Sequence, residues 1–199
     1  MDALANGLYD IAFDRLAAIV TYLERSAPID EPPKAPPAGV TIAAVERPAA
    51  AWYRALFRRV GEDWLWFDRL GLTETALQDL LVRPGHQLLL MTRDGEEIGF
   101  AELEPPSEGS VEIVYFGLVK DAVGAGLGGT LMRAALAAAF RPGVRRVWLH
   151  TCNLDAPGAL TFYGRMGFRA YAQKVEITDD PRLTGALPRH TAPHVPLLG

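Results

Sequence analysis

The sequence has little of the material that several classes of protein require. It contains one cysteine, Cys152, which cannot form an internal disulfide or supply a cysteine-based zinc site. Its 20 basic and 24 acidic residues give a formal net charge of -4, so it has no basic field to attract nucleic acid or an anionic membrane. No stretch reaches the ~18 apolar residues of a membrane span, and the start MDALANGLYDIAF lacks the features of a signal peptide. We therefore expect a cytoplasmic protein that binds neither nucleic acid nor membranes. His190 and His194 are too isolated to predict a metal site, so we expect no metal.

The chain divides into three regions by composition. Apolar residues recur at roughly helical spacing over residues 8–25, which predicts an amphipathic N-terminal helix, and a proline-rich linker follows it within residues 1–38. Residues 39–178 carry alternating strand and helix patterns and are predicted to form the main domain. Residues 179–199 are proline-rich and aperiodic, so we expect an irregular C-terminal tail.

Within the main domain the predicted element order is β-α-α-β-β-β-α-β-α-β. Asp94-Gly95 stands between two apolar runs, a dipeptide typical of tight hairpin turns. Thr73 is a suitable N-cap for the helix that follows it. Residues 130–140 are alanine-rich and free of helix breakers, which predicts a helix, and residues 155–166 read as a helix closed by Gly167.

The stretch GAGLGG, residues 124–129, satisfies the G-x-G-x-x-G spacing that often marks a dinucleotide site. A dinucleotide fold places this loop directly after the first strand of a mostly parallel sheet, with an acidic residue about 20 positions later. Here the predicted strands that precede the loop include two joined by a hairpin, and no Asp or Glu ends the next strand, RRVWLH. A P-loop needs Gly-Lys-Ser/Thr, which is absent. The context therefore favours a different phosphate-bearing ligand, such as acyl-CoA, over NAD.

Two separated segments, VEIVYFGLVKDAVGAGLGGTLM and NLDAPGALTFYGRMGF, resemble the GNAT superfamily of acyl-CoA-dependent N-acyltransferases. The resemblance covers residues 40 to about 177. It implies an α/β (α+β) fold with a mixed, mostly antiparallel central sheet flanked by helices, here with an extra N-terminal helix and linker. The family's loop pattern Q/R-x-x-G-x-G/A is filled, with a departure at the first position, by Val123, Gly124, Ala125, Gly126, Leu127 and Gly128.

Glycines suit a pyrophosphate site for a physical reason that does not depend on the family. Unpaired N–H groups and the positive end of the dipole converge at a helix N-terminus, and they bind phosphate when no side chain holds the ligand away. Gly124, Gly126, Gly128 and Gly129 allow this approach. The alternative is a glycine-rich turn from strand to helix that binds nothing. We also expect the backbone of Phe116, Gly117 and Leu118 to pair with the pantetheine arm like an added strand.

The second segment matches the family pattern N-x9-Y-x3-G-F at Asn153, Tyr163, Gly167 and Phe168. The resemblance implies that Asn153 and Tyr163 lie beside the thioether arm and the thiol of the cofactor. A phenol within reach of the sulfur can protonate the departing thiolate, so Tyr163 is the candidate general acid. The alternative is a half-buried tyrosine that packs beside Phe162.

Glu112 is the candidate general base, because the resemblance places the base of histone-acetylating members at this position of the strand. Alternation puts Glu112, Val114, Phe116 and Leu118 on one face of that strand, so we expect the carboxylate to share a side with residues that line the cofactor cleft. The alternative is a solvated glutamate at the rim. His150 and Cys152 are two apart on a strand and are not expected to form a catalytic pair, and Cys152 is expected to be a packing residue.

The resemblance implies an acetyl-CoA-dependent N-acetyltransferase in which a primary amine attacks the thioester directly. The acceptor is a small-molecule amine or a protein amino group, and the sequence does not distinguish them. A homodimer is compatible with the sequence. The competing hypothesis is a non-catalytic acyl-CoA-binding sensor or interaction module, which the departure at Val123 keeps open.

Overall fold

The computed structural model describes residues 4–29 and 35–199. The strands of its seven-stranded sheet are β1 Arg15–Arg25, β2 Val40–Ala44, β3 Gln87–Arg93, β4 Glu96–Leu103, β5 Ser110–Leu118, β6 Arg146–Cys152 and β7 Arg169–Asp179. The helices are α1 Ala50–Gly61, α2 Glu74–Leu81, α3 Leu127–Ala139 and α4 Ala159–Arg165. The strand order is β2-β3-β4-β5-β6-β1-β7, and every neighbouring pair is antiparallel except β5 and β6. The predicted mixed, mostly antiparallel sheet with flanking helices is confirmed.

The predicted N-terminal helix is wrong, because residues 15–25 form strand β1. This strand lies inside the sheet, antiparallel to β6 on one side and to β7 on the other. Ile19, Val20 and Thr21 are three consecutive β-branched residues, which favour a strand over a helix. Both faces of β1 contribute buried side chains, such as Val20 on one and Leu23 on the other, so its apolar residues also fit a helical spacing.

Local turn and cap signals agree with the structure. Arg93 pairs with Glu96, and the two residues between them, Asp94 and Gly95, have φ angles of 53° and 86°, as a two-residue hairpin of this kind requires. The Thr73 hydroxyl accepts a hydrogen bond from the Ala76 backbone N–H and caps α2. α4 begins only at Ala159, later than predicted, because residues 153–158 form turns.

Two apolar cores lie on opposite faces of the sheet. Leu131, Met132 and Leu136 of α3 pack against Val147 and Leu149 of β6 on one face. On the other face α1 and α2 cover the half of the sheet formed by β3, β4 and β5, and their core is built from Tyr53, Leu56, Phe57, Val60, Leu77, Leu81, Leu88 and Phe100. The sheet therefore separates an α3 side from an α1/α2 side. None of the helices in residues 4–29 and 35–199 is long and apolar enough to cross a bilayer.

After Asp179, the last residue of β7, the C-terminal tail has no helix or strand, and a buried ion pair within it holds its conformation. The Arg182 Nη2 donates to Asp180 Oδ2 at 2.7 Å, and Nη1 donates to the Val195 carbonyl at 2.8 Å. Leu187 and Val195 of the tail pack against Leu65. The tail is thereby fixed against the loop between α1 and α2.

Candidate functional site

The parallel strands β5 and β6 pair over only three residues and then diverge. The ladder joins Ser110 to Arg146, Val111 to Val147 and Glu112 to Trp148, and it ends there. β5 continues to Leu118 while paired with β4 alone. Because the strands separate, the sheet opens into a cleft of about 880 Å³, within the usual size of small-molecule sites. The cleft is lined by β5, the glycine loop, β6, α4, β1 and the loop after α1.

A β-bulge in β5 changes which residues share a face. Ile113 pairs with Leu103 and Tyr115 pairs with Glu102, so Val114 has no partner in the β4 ladder. Before the bulge Val111 and Ile113 face α3, and after it Phe116 and Leu118 do. The list of residues expected on one face with Glu112 is therefore wrong for Phe116 and Leu118. Glu112 lies on the α1/α2 side, whereas the later residues face the α3 side.

The glycine loop lies at the α3 end of the cleft. Gly126 is the N-cap of α3 with φ 77°, and Gly124 has φ 86°, a left-handed conformation that side chains disfavour. A Cβ added at Gly124, Gly126 or Gly129 would meet no atom within 4 Å, so these positions face open space. Four of the predicted loop residues line the cleft, together with Val123: Gly124, Gly126, Gly128 and Gly129. The helix N-terminus and its unpaired N–H groups thus open into the cleft.

Position 117 requires glycine for a different reason from the glycines of the loop. A Cβ at Gly117 would lie 2.5 Å from Val60 and 3.2 Å from the Trp66 ring. The absent side chain lets α1 and Trp66 pack directly on β5. The Trp66 indole N–H lies 3.5 Å from Asp155 Oδ1, so the loop after α1 reaches across the cleft to the loop after β6.

Tyr163 lies within a group of aromatic rings beside the cleft. Its side chain lines the cleft, is 8% exposed, and packs against Phe116, Phe162 and Phe168 at centroid distances of 6.3, 5.4 and 6.1 Å. Burial, followed by the nearby Asp155 charge, raises the pKa of its phenol well above the ordinary value. The hydroxyl therefore keeps its proton near neutral pH and has that proton to donate.

Glu112 and His150 form a pair at the point where β5 and β6 separate. The His150 Nδ1 lies 3.2 Å from Glu112 Oε1, although the residues are 38 positions apart. His150 lines the cleft, and Glu112 is mostly covered beside it. The hydrogen bond with Glu112 raises the pKa of His150 despite its partial burial, and the charges of Asp155 and Glu176 act in the same direction. The pair could not be recognised from spacing within one strand, because Glu112 lies on β5 and His150 lies on β6.

Asn153 and Cys152 lie where β6 ends, and their surroundings favour structural roles. The Asn153 Oδ1 accepts a hydrogen bond from the Ile19 backbone N–H at 2.7 Å, so this amide is bound to β1, and Asn153 does not line the cleft. Cys152 lines the cleft and is half-buried. Burial raises the pKa of its thiol, which disfavours the nucleophilic thiolate.

A buried charge cluster supports the cleft wall on the α1/α2 side. Glu102 is fully buried, and its carboxylate accepts from Tyr53 and from Arg69, whose Nη2 lies 2.8 Å away. The His86 Nε2 is 3.2 Å from Glu102 Oε1, outside good hydrogen-bond geometry. Burial alone would raise the pKa of Glu102, but His86, Arg69 and Tyr53 lower it overall. Arg69 is thereby held 5.1 Å from the ring centroid of Tyr115, and both residues line the cleft.

A model of a known protein family matches the part of the chain that forms most of the site. The family model described as Acetyltransferase (GNAT) family matches residues 48–168, more than half of the 199 residues. This range contains the glycine loop, Glu112, His150 and Tyr163. No curated protein sequence matches the chain.

Solved structures of related fold agree with that match. A GCN5-related N-acetyltransferase from Sphaerobacter thermophilus has a TM-score of 0.57 at 21% identity, over 82% of this chain and 52% of that one. One from Kribbella flavida has a TM-score of 0.57 at 23% identity, over 86% and 63%. An aminoglycoside acetyltransferase from an uncultured soil metagenomic sample has a TM-score of 0.57 at 17% identity, over 69% and 93%. This chain thus spans between half and two thirds of the Sphaerobacter and Kribbella proteins, and the likeness concerns the fold.

Proposed function

Because the chain belongs to the GNAT family of acetyltransferases, we propose that it transfers an acetyl group from acetyl-CoA to a primary amine by direct attack in a ternary complex. The observation that carries this proposal is the cleft between β5 and β6. It runs from the N-terminus of α3, which suits a phosphate group, to the Glu112–His150 pair, which suits a proton acceptor.

The residues around the cleft fit an acyl-CoA. The N–H groups at the start of α3 would hold the pyrophosphate, and the open Cβ positions of Gly124, Gly126 and Gly129 leave room for it. Within residues 4–29 and 35–199, the side of β5 that faces away from β4 has no strand partner beyond Glu112, so the backbone of Phe116, Gly117 and Leu118 offers pairing groups to an extended pantetheine arm. Leu127 anchors the loop in the core under α3, and Val123 and Ala125 complete the loop.

Acetyl-CoA supplies the thioester, and the side chains of this chain handle the protons. When the His150 Nδ1–H donates to Glu112, Nε2 carries the lone pair that can accept the proton of the attacking amine. His150 is thus the catalytic residue in contact with the amine, and Glu112, the base predicted from the resemblance, acts through it. Tyr163 donates its proton to the departing thiolate at the α3 side of the cleft.

The acceptor half of the cleft favours a cationic amine that carries apolar groups. Its lining includes Trp64, Trp66 and Phe67, and the carboxylates of Asp155 and Glu176. Aromatic faces and carboxylates both attract an ammonium group. Aminoglycosides carry several cationic amines, and one structural neighbour is named as an aminoglycoside acetyltransferase, so they belong in a screen of acceptors.

Thiol release measured against an amine panel with acetyl-, propionyl- and succinyl-CoA tests the proposal. We expect turnover with acetyl-CoA and at least one amine, together with calorimetric binding of acetyl-CoA in the absence of amine. Binding without turnover on any amine would favour the sensor or interaction module. Absence of acetyl-CoA binding would overturn both assignments, and tight binding of NAD in its place would revive the dinucleotide interpretation.

A further inference from the structure

Strand β7 closes one end of the sheet, and its outer edge has no strand partner among the described residues. None of its eleven residues from Arg169 to Asp179 is buried. Tyr171, Val175 and Ile177 are 45%, 50% and 42% exposed. An exposed strand of this length presents a row of backbone N–H and C=O groups that readily pair with another strand. The sequence RAYAQKVEITD contains no proline that would interrupt such pairing.

The apolar surface continues from β7 onto the neighbouring strand. Ile19 of β1 is 52% exposed and pairs directly with Val175, so the two side chains lie side by side on one face. Ile177 lies two residues from Val175 and therefore on the same face. Exposed apolar side chains grouped along an unpaired edge indicate an interaction surface more strongly than scattered ones do.

The charges on β7 favour one register of self-pairing. When two copies of a strand pair in antiparallel fashion about a two-fold axis, side chains opposite each other must share a face, so allowed registers differ by two residues. Pairing centred on Val175 places Lys174 opposite Glu176 twice. The register centred on Lys174 places the two lysines opposite each other, and the register centred on Glu176 places the two glutamates opposite each other. Like charges directly opposite are destabilising, so both registers are unfavourable.

We propose that this edge is a dimer interface in which β7 pairs with β7 of a second copy, antiparallel and centred on Val175. The two sheets then form one continuous sheet across the dimer. The paired segment is Ala172–Thr178, because the β1 register shifts at Tyr22 and Leu23 and leaves Tyr171 out of regular pairing. Main-chain hydrogen bonds hold the copies together, Val175 packs on its own equivalent, and Gln173 lies opposite Ile177.

A charge-swap experiment tests the register. Analytical ultracentrifugation should show wild-type protein in a concentration-dependent monomer–dimer equilibrium. Lys174→Glu and Glu176→Lys should each weaken the dimer by roughly tenfold or more, because two attractive pairs become two repulsive ones. The double variant restores both attractive pairs and should restore dimerisation. Lys174 also contacts the Tyr22 ring at 4.7 Å, but the double variant lacks that contact too, so recovery cannot come from it.

Cysteine cross-linking tests the geometry independently of affinity. In a Cys152→Ala background, Val175→Cys should form an oxidised dimer readily, because equivalent positions lie directly opposite. Gln173→Cys is the control on the same face, and its equivalents are separated by about four residue spacings, or ~14 Å, so it should not cross-link. A wild-type protein that stays monomeric at all accessible concentrations, a dimer insensitive to both single charge swaps, or equal cross-linking at the two positions would overturn the proposal.

Discussion

The two ends of the cleft differ in the groups that they offer to a ligand: backbone N–H groups at one end and side chains at the other. At the α3 end, residues 123–129 carry no ionisable side chain, and the site consists of backbone N–H groups made accessible by glycine. Away from that loop the site depends on side chains: Glu112 and His150 pair where β5 and β6 separate, and Tyr163 lies among aromatic rings beside the cleft. Any added side chain should therefore damage the first end, whereas the second should respond to the loss of single functional groups. Substitutions at each end test this difference.

The largest effect is expected from Gly126→Asp at the backbone end. A like charge about 4 Å from phosphate costs about 4 kcal/mol at an effective dielectric near 20, which corresponds to a loss of about 10³-fold in acetyl-CoA affinity. Isothermal titration calorimetry measures it. Gly126→Asn introduces similar bulk without charge and should lose far less. Gly143→Asp places the same residue at another left-handed glycine with open space, outside the cleft, and should bind normally. Equal affinity of Gly126→Asp and wild type would remove the phosphate assignment.

At the side-chain end, Tyr163→Phe should lower kcat by ~10²-fold while acetyl-CoA affinity stays near wild type. The ring keeps its packing against Phe116 and Phe162, and only the proton donor is lost. Because loss of an acid is not compensated by high pH, the deficit should be the same at pH 7 and pH 9.5 in stopped thiol-release assays. A deficit that disappears at high pH, or normal turnover, would show that the hydroxyl does not protonate the thiolate.

His150→Gln should also lower kcat/KM by ~10²-fold at pH 7, but with a different pH response. Gln keeps a polar side chain and cannot accept a proton. As the pH rises to 9.5, more of the acceptor amine is already neutral, so the deficit should shrink. Steady-state kinetics across this range distinguish His150 from Tyr163, and a constant deficit would contradict the assignment of His150 as proton acceptor.

Glu112→Gln should have the smallest effect, about tenfold in kcat/KM, the value of one charge-assisted hydrogen bond. The carboxylate raises the pKa of His150, so its removal should lower that pKa and move the acidic limb of the pH–rate profile to lower pH. The same linkage applies to folding. The pair stabilises the protein below the ordinary pKa of histidine, and this contribution is lost as the pH rises through the elevated pKa of the folded state. If the acidic limb of the pH–rate profile does not shift, Glu112 does not act through His150 in the reaction.

Features that depend on neighbouring residues could be predicted from the sequence. The Asp94-Gly95 turn, the Thr73 cap and the glycine loop before α3 each follow from chemistry within a few positions. The N-terminal strand was not predicted from apolar spacing, because that spacing also fits a helix; the β-branched run at residues 19–21 and the pairing with β6 and β7 favour the strand. The pairing of Glu112 with His150 depends on the register of two parallel strands. The bulge at Val114 places Glu112 and Phe116 on different faces of β5, and no residue type in this stretch predicts it.

Strand β1 has a consequence for synthesis of the chain. Thr21 of β1 and Gln173 of β7 share a hydrogen bond although they are 152 residues apart. Contacts of this separation slow folding, since the intervening chain must be ordered before they form. As the chain leaves the ribosome, β1 emerges before the other strands of the sheet and finds neither of its neighbours until the segments that form β6 and β7 have also been translated. β2, β3, β4 and β5 are consecutive strands along the chain and can pair during translation. β6, β1 and β7, and with them one wall of the cleft, are therefore expected to assemble after β2, β3, β4 and β5.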